Sequence, residues 1–179
     1  MITIVTAFYD IGRGDWTPEK GFPHYLQRTT ETYIERFSHM AQLENPMIIF
    51  STPDIIEKLR PLRGERPTKW VDFDLFKNYA DLIKQIHDIQ KKDEYQNMIH
   101  PSQRANPEYW NPHYVIVNFL KSVFVNLAIK HKMINTELIA WLDFGYCRTP
   151  DKIPTSKKWS YDFDVNKMHL FNYKEYDGV

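Results

Sequence analysis

The sequence is poor in cysteine and glycine, and it has no excess of either charge. Its single cysteine, Cys147, excludes an internal disulfide framework and favours a reducing compartment. The 23 basic and 23 acidic residues cancel to a formal net charge of zero, which argues against a nucleic-acid-binding surface. Hydrophobic residues make up 42% and charged residues 26% of the 179 residues, a balance that is typical of a globular domain and excludes a disordered chain.

Long apolar runs are also missing. The longest, over residues 114–129, is interrupted by Asn118, Lys121, Ser122 and Asn126, so it falls short of the roughly 20 residues that a membrane span needs. The first five residues lack the basic region and the cleavage site of a signal peptide. These features predict a cytoplasmic protein whose contact with a membrane, if there is any, is peripheral.

Alternating strand and helix patterns predict the fold. Strands are predicted where short runs are rich in β-branched or aromatic residues, over residues 2–9, 47–51, 69–73 and 138–143. Helices are predicted from apolar residues at helical spacing, over residues 25–43, 54–60, 75–89 and 114–130, of which the last should be deeply buried. Residues 97–112 are expected to form a loop and residues 161–171 an edge strand. The alternation predicts an α/β domain with a mainly parallel sheet flanked by helices.

The loop after the first predicted strand is rich in side chains that recognise nucleotides. Residues 6–16 combine two glycines, one arginine, two aspartates and three aromatic rings. A ring can stack on a base, a carboxylate can accept from ribose or base donors, and an arginine or backbone N–H groups can bind phosphate. The alternative is a turn in which Arg13 pairs with Asp10 or Asp15, because Gly-Arg-Gly matches neither the dinucleotide-binding motif nor a P-loop.

Two charged residues further along the chain extend this hypothesis. Asp143 leaves the fourth predicted strand two residues before Gly145, a position where hard cations are held against diphosphates, although it could also cap the next turn. Lys121 is the cation within the apolar helix and could reach a phosphate. The alternative is a lysine that extends its charged end to solvent.

Other reactive side chains have structural interpretations. One of Asp72 and Asp74 is expected to cap the helix that starts near residue 75. The seven histidines form no pair with cysteine or glutamate at zinc-ligand spacing. Cys147 has no Cys-His signature around it and is expected to be packed rather than nucleophilic.

Three segments of the sequence resemble the bacterial HtrL/YibB-type proteins. They are residues 4–16 (IVTAFYDIGRGDW), residues 106–121 with NPEYW followed by YVIVNFLK, and residues 141–145 (WLDFG). The resemblance runs from Met1 to about Arg148. It implies a GT-A-like, Rossmann-like fold and a glycosyltransferase that moves a sugar from a nucleotide-sugar donor to a lipopolysaccharide or surface-polysaccharide acceptor.

The resemblance also implies a site. Phe8, Tyr9, Asp10 and Arg13 would contact the nucleotide, and Asp143 would approach the diphosphate through Mn²⁺ or Mg²⁺. GT-A enzymes commonly carry Asp-x-Asp where this chain has Gly145 in the third position, so cations such as Arg13 and Lys121 could replace the metal.

The resemblance further divides the chain. Residues 1–149 would form the nucleotide-sugar-binding domain, and residues 150–179 would begin an acceptor-binding half that is shortened here. The acceptor would be a glycolipid or a polysaccharide at the inner face of the membrane. The alternative function is a non-catalytic, truncated remnant that binds a nucleotide or a protein partner.

Overall fold

A computed structural model describes residues 1–170, which are built around a four-stranded sheet. The strands are β1 (Ile2–Ala7), β2 (Met47–Ser51), β3 (Thr68–Asp72) and β4 (Leu138–Trp141). They are ordered β3-β2-β1-β4, and each neighbouring pair is parallel. The predicted α/β class with a parallel sheet is therefore confirmed.

Helices cover both faces of this sheet. Those that the structure describes are α1 (Thr30–Met40), α2 (Pro53–Arg63), α3 (Leu75–Asn78), α4 (Ala80–Gln90), α5 (Asp93–Met98), α6 (Pro112–Phe119) and α7 (Lys121–Lys130). All six residues of β1 are buried, and its side chains alternate between two hydrophobic clusters. Ile4 packs with residues of α1 and α2, whereas Val5 packs with residues of α6 and α7. The result is a sheet between two layers of helices, with β1 at its centre.

The helix α1 is shorter than the helix that the apolar pattern of residues 25–43 predicted. The helix α1 begins at Thr30 because the Thr29 hydroxyl accepts a hydrogen bond from the Thr32 N–H, as an N-cap does. The preceding residues His24–Leu26 form a separate 3-10 turn that follows Pro23. The prediction of one helix over residues 25–43 was therefore wrong at both ends.

Two other predicted helices are interrupted. The helix over residues 75–89 breaks at Tyr79, between α3 and α4, and the Asp74 carboxylate caps α3 by accepting from the Lys77 N–H. The helix over residues 114–130 breaks at Leu120, where α6 and α7 meet at a bend of 44°. The prediction that Asp72 or Asp74 caps a helix is confirmed.

The helices α6 and α7 are only partly buried. Their buried residues are spaced four apart and form one stripe, made of Ile116, Leu120, Phe124 and Ala128. Phe119 on the opposite side is 66% exposed. The expectation of a deeply buried helix was wrong, because an apolar sequence all round the helix does not require a neighbour on every side. No single helix within residues 1–170 is long and apolar enough to cross a bilayer, and α6 and α7 reach that length only as a bent pair.

The later loops also differ from expectation. Residues 97–112 hold the end of α5 and two 3-10 turns, Pro101–Gln103 and Pro107–Tyr109. Residues 161–170 form turns and coil instead of the predicted edge strand, whose last residue, Phe171, lies outside the described residues. Trp159 packs against the hydrophobic cluster that contains Phe37, and its backbone N–H donates to the Asn45 side-chain oxygen. The division of the chain at residue 149 stays a prediction.

Arg63 is a buried cation that ties the amino ends of the strands together. Its side chain is fully buried and donates to the Thr68 hydroxyl and to four backbone carbonyl oxygens, those of Ala41, Leu43, Asn45 and Pro67. Burial, with a smaller contribution from Arg66, lowers its pKa to about 10. Arg63 therefore supplies donors to backbone carbonyl groups in the segments that lead into β2 and β3.

Replacing Arg63 by methionine should lower the free energy of unfolding by about 3 to 5 kcal/mol, because buried carbonyl groups would lose their donors. Urea denaturation measures the change. Arg60→Met is the matched control, since Arg60 is exposed on the same helix, and it should change stability by about 0.5 kcal/mol or less. Equal losses in the two variants would show that Arg63 has no such role.

Candidate functional site

A cavity of about 590 Å³ lies at the carboxyl ends of β1 and β4. From β1 the chain crosses to β2 on one side, and β4 pairs with β1 on the other side. The strand order therefore changes direction at this edge, and such a point in a parallel sheet is where ligands bind. The walls come from the loops after β1 and β4, the first turns of α1, and the junction of α6 with α7.

All the residues that the sequence proposed for ligand or metal binding line this one cavity. They are Phe8, Tyr9, Asp10, Arg13, Lys121 and Asp143. Their roles as ligands stay predictions, but the structure shows what each side chain touches.

Phe8 and Tyr9 are mostly packed inside the protein. The Phe8 ring lies 4.9 Å from the Phe144 ring and 5.0 Å from the Tyr33 ring. Tyr9 packs between Phe76 and Phe124. Burial, and then the carboxylates of Asp72 and Asp74, raise the pKa of the Tyr9 hydroxyl well above its ordinary value, so this phenol stays protonated. Both residues form the floor of the cavity and offer little ring surface for stacking.

Asp10 holds the loop after β1 in its conformation. One carboxylate oxygen accepts from the Gly12 N–H at 2.8 Å, and the other accepts from the Thr30 hydroxyl at 2.7 Å. Gly12 has a φ of 77°, a left-handed conformation that favours glycine. Asp10 therefore closes a tight turn and fastens it to the start of α1.

The buried side chain of Arg13 connects the loop after β1 to α1 and to the turn before it. It is 8% exposed, and its Nε and Nη2 donate to the Leu26 carbonyl oxygen at 3.1 and 2.8 Å. Its Nη1 donates to the Tyr33 hydroxyl at 2.9 Å. Burial is the main cause that lowers the pKa of Arg13. The expected alternative, a pair with Asp10 or Asp15, was wrong, because Asp10 caps the turn and Asp15 pairs with Lys20.

Lys121 and Asp143 form an ion pair across the cavity. The Lys121 Nζ lies 2.7 Å from Asp143 Oδ1, and the Trp141 Nε1 donates to the same oxygen at 2.7 Å. Lys121 begins α7 directly after the bend, which directs its side chain towards the end of β4. Both structural alternatives were wrong: the charged end of Lys121 binds Asp143, and the turn after β4 closes through the Tyr146 N–H and the Asp143 carbonyl oxygen.

The residues of the cavity do not fit a resident Mn²⁺ or Mg²⁺. Within residues 1–170 no group of three His, Cys, Asp or Glu side chains is placed to hold a cation. The two carboxylates in the lining, Asp10 and Asp143, already have the partners described above. A metal bound at Asp143 Oδ1 would have to displace the Lys121 ammonium group.

Gly145 lies close to Tyr33 of α1. A Cβ at Gly145 would lie 3.0 Å from Tyr33 Cε1 and 3.1 Å from Cδ1, closer than a side chain normally approaches. Any larger residue would push Tyr33, which accepts the hydrogen bond from Arg13. Glycine here therefore allows the loop after β4 to pack on α1.

Three cavity arginines were missed by the sequence analysis. Arg28, Arg36 and Arg148 line the same space as Arg13, and none of the three forms an ion pair with a carboxylate of residues 1–170. Burial, then the nearby Arg28 and Arg148, lower the pKa of Arg36. Arg36 could have been predicted from the sequence. A helix that follows a parallel strand begins at the carboxyl edge of the sheet, and Arg36 lies near the start of α1, one turn after Tyr33.

Cys147 lies next to the cavity but belongs to the core. It is 1% exposed, and burial raises the pKa of its thiol to about 11. The thiol is therefore protonated near neutral pH and a poor nucleophile, which confirms the expectation that it is packed.

Two segments that carry the family resemblance contact each other beside the cavity. The Trp16 and Trp110 rings lie 4.8 Å apart, and Phe22 packs against both. Trp16 also lies 5.3 Å from the Arg13 guanidinium. The aromatic residues thus join the loop after β1 to the loop before α6.

Comparisons with known proteins agree with the resemblance. The profile of the HtrL_YibB family, described as a bacterial protein of unknown function, matches residues 1–179. Protein HtrL of Escherichia coli (strain K12) is 44% identical over 173 residues, which are 97% of this chain and 61% of that protein. The chain therefore spans about three-fifths of the length of this relative. No solved structure matches the chain. The match over its whole length shows that the chain belongs to the HtrL/YibB family of bacterial proteins.

Proposed function

We propose that the cavity binds a nucleotide-sugar donor, and that the chain is the GT-A-like donor-binding part of a glycosyltransferase. The observation that carries the proposal is the charge of the cavity. Six cationic side chains line it, those of Arg13, Arg28, Arg36, Lys121, Arg148 and Lys152, against the two carboxylates of Asp10 and Asp143. Such an excess of positive charge at the ligand-binding edge of a parallel sheet suits a diphosphate.

The size and walls of the cavity suit the rest of a nucleotide sugar. Its volume of about 590 Å³ lies within the range of small-molecule sites. Trp141 and Tyr146 line it, and Tyr146 is 50% exposed, so its ring can stack on a base. We assign base stacking to Tyr146 rather than to Phe8 or Tyr9, whose rings are packed.

The proposed reaction is displacement at the anomeric carbon of the sugar. An acceptor hydroxyl forms the new C–O bond, the bond from the anomeric carbon to the diphosphate breaks, and its electrons leave with the nucleoside diphosphate. The cavity cations stabilise the charge that develops on this leaving group. The acceptor that we propose is a lipopolysaccharide or surface polysaccharide at the cytoplasmic face of a membrane.

A second candidate is nucleotide binding without transfer. Asp10 uses both of its oxygens to hold the loop, and Asp143 is engaged through Oδ1 with Lys121 and Trp141, so neither cavity carboxylate is an unpaired base for the proton of an acceptor hydroxyl. A binding-only protein needs the arginines and aromatic rings but no base.

At least one of UDP, GDP, CDP and ADP should raise the thermal unfolding midpoint. At a hundredfold excess over Kd, a ligand that binds only the folded state should raise it by about 5 °C or more. Lys121→Met should reduce this shift, because it removes a cavity cation and leaves the Asp143 carboxylate unpaired beside the proposed diphosphate. Lys130→Met is the matched control, since Lys130 is exposed at the other end of α7. No shift with any of the four nucleotides would contradict the proposal.

Turnover separates the two candidates. A glycosyltransferase donor site should slowly release nucleoside diphosphate from the matching nucleotide sugar, with water in place of the acceptor. Chromatography of the nucleotides detects this release. Binding without release would favour the binding-only candidate.

Arg13 should act mainly by positioning, because each of its three guanidinium nitrogens donates a hydrogen bond to the protein, which uses three of its five N–H donors. Arg13→Met should lower the free energy of unfolding by about 2 kcal/mol, since Leu26 and Tyr33 lose a buried donor. Arg28→Met should change it by about 0.5 kcal/mol or less. Urea denaturation compares the two variants, and equal stabilities would leave Arg13 free to bind phosphate.

A further inference from the structure

We propose that the cavity binds the diphosphate without a divalent cation, through the guanidinium groups of Arg28, Arg36 and Arg148. In this arrangement the Lys121 ammonium group is paired with Asp143, the carboxylate at which a metal would bind. That the ligand is a nucleotide rests on the proposed function. That arginines bind a diphosphate does not rest on it, because inorganic pyrophosphate tests the arginine site without a nucleoside.

The three arginines line the cavity with their guanidinium donors available. In residues 1–170, the side chains of Arg28, Arg36 and Arg148 donate no hydrogen bond to the protein. An arginine carries five N–H donors in a planar fork that fits two phosphate oxygens at once. Arg13, whose nitrogens are all engaged, is the matched contrast within the same cavity.

Three chain segments bring these arginines together. The Arg28 N–H donates to the Arg13 carbonyl oxygen at 3.2 Å, which fixes the backbone of Arg28 beside the loop after β1. Arg36 lies on α1, one turn beyond Tyr33. Gly145 packs against Tyr33 and the Arg36 side chain, and Arg148 follows three residues later. The segments that carry the three arginines are thus placed by the same contacts that build the cavity wall.

The arrangement is unfavourable without an anion. Arg36 is half-buried, and Arg28, Arg148 and Arg13 all lie near enough to disfavour its charge. Like charges that are held together in partly desolvated space repel each other. A bound diphosphate would remove this repulsion, and it could contact arginines on more than one wall.

The same charges disfavour a divalent cation. A metal at Asp143 would lie beside the Lys121 ammonium group, in a cavity that already holds six cationic side chains against two carboxylates. Gly145 leaves the loop without a second carboxylate, and the space at its Cβ is filled by Tyr33. Arginine and lysine therefore supply the positive charge that a metal would otherwise supply.

Calorimetric titration with inorganic pyrophosphate in EDTA tests the proposal directly. We expect binding in EDTA, and we expect Arg28→Gln, Arg36→Gln and Arg148→Gln each to weaken it by about tenfold. Arg104→Gln is the control, since Arg104 is exposed and lies outside the cavity lining, and it should bind as the parent does. Arg148 is exposed, so its variant should stay folded, and the unfolding midpoint of each variant verifies this.

The metal is tested with nucleoside diphosphates. UDP, GDP, CDP and ADP are titrated in EDTA and again with Mn²⁺, and the Kd of any that binds should agree within about twofold. Asp143→Asn should retain binding in both buffers.

Each outcome has a distinct meaning. Failure of pyrophosphate to bind in EDTA would overturn the arginine site. Nucleoside diphosphates that bind only with Mn²⁺, and no longer bind after Asp143→Asn, would overturn it while leaving the proposed function intact. Pyrophosphate that binds in EDTA as tightly as every nucleoside diphosphate would support the arginine site and contradict the nucleotide donor.

Discussion

The cavity depends on one stack of aromatic rings in the core. The Phe37 and Phe144 rings are parallel at 4.6 Å, and the Phe8 ring continues the stack at 4.9 Å from Phe144. These rings join α1, the loop after β4 and the end of β1. Several polar residues of the site lie close in sequence to a stacked ring, since Arg36 is next to Phe37, Asp143 is next to Phe144, and Asp10 follows Phe8 by two residues. Packing of the rings therefore helps to place these residues around the cavity.

The arginines at the two edges of the sheet differ in how far the protein satisfies their donors. At the amino edge, Arg63 donates to five oxygens and is saturated by the fold. At the carboxyl edge, Arg13 donates three hydrogen bonds to the protein, whereas Arg28, Arg36 and Arg148 keep their donors free within the described residues. A cation whose donors are satisfied supports structure, and one that faces a cavity without a partner suits a ligand. This difference separates the positioning residue Arg13 from the proposed ligands.

Much of the fold could be predicted from the sequence, because its signals are local. The strands are apolar runs of β-branched residues, and each was predicted to within about two residues of its observed bounds. The break at Leu120 could not be predicted, since the residues on both sides of it favour a helix and no proline or glycine marks it. The pairing of Lys121 with Asp143 depends on this break and on the position of β4 beside β1.

The same reasoning explains what was predicted of the site. The residues after β1 and β4 were predicted because carboxyl ends of parallel strands share one edge of the sheet. Arg28 and Arg36 belong to the crossover that follows β1, and their approach to Arg148 depends on tertiary packing through Gly145 and Tyr33. Residue types also did not show which charges were already engaged. Asp10 and Arg13 match a nucleotide site in sequence, but in the structure they hold the loop together.

A crystal structure of the protein grown with UDP, GDP, CDP or ADP in EDTA tests the central claim most directly. The account predicts electron density for the nucleotide in the cavity, with phosphate oxygens within hydrogen-bond distance of at least two of Arg28, Arg36 and Arg148, and with the Lys121–Asp143 pair intact. Phosphates bound away from these arginines, or a nucleotide that appears only when Mn²⁺ replaces Lys121 at Asp143, would contradict it.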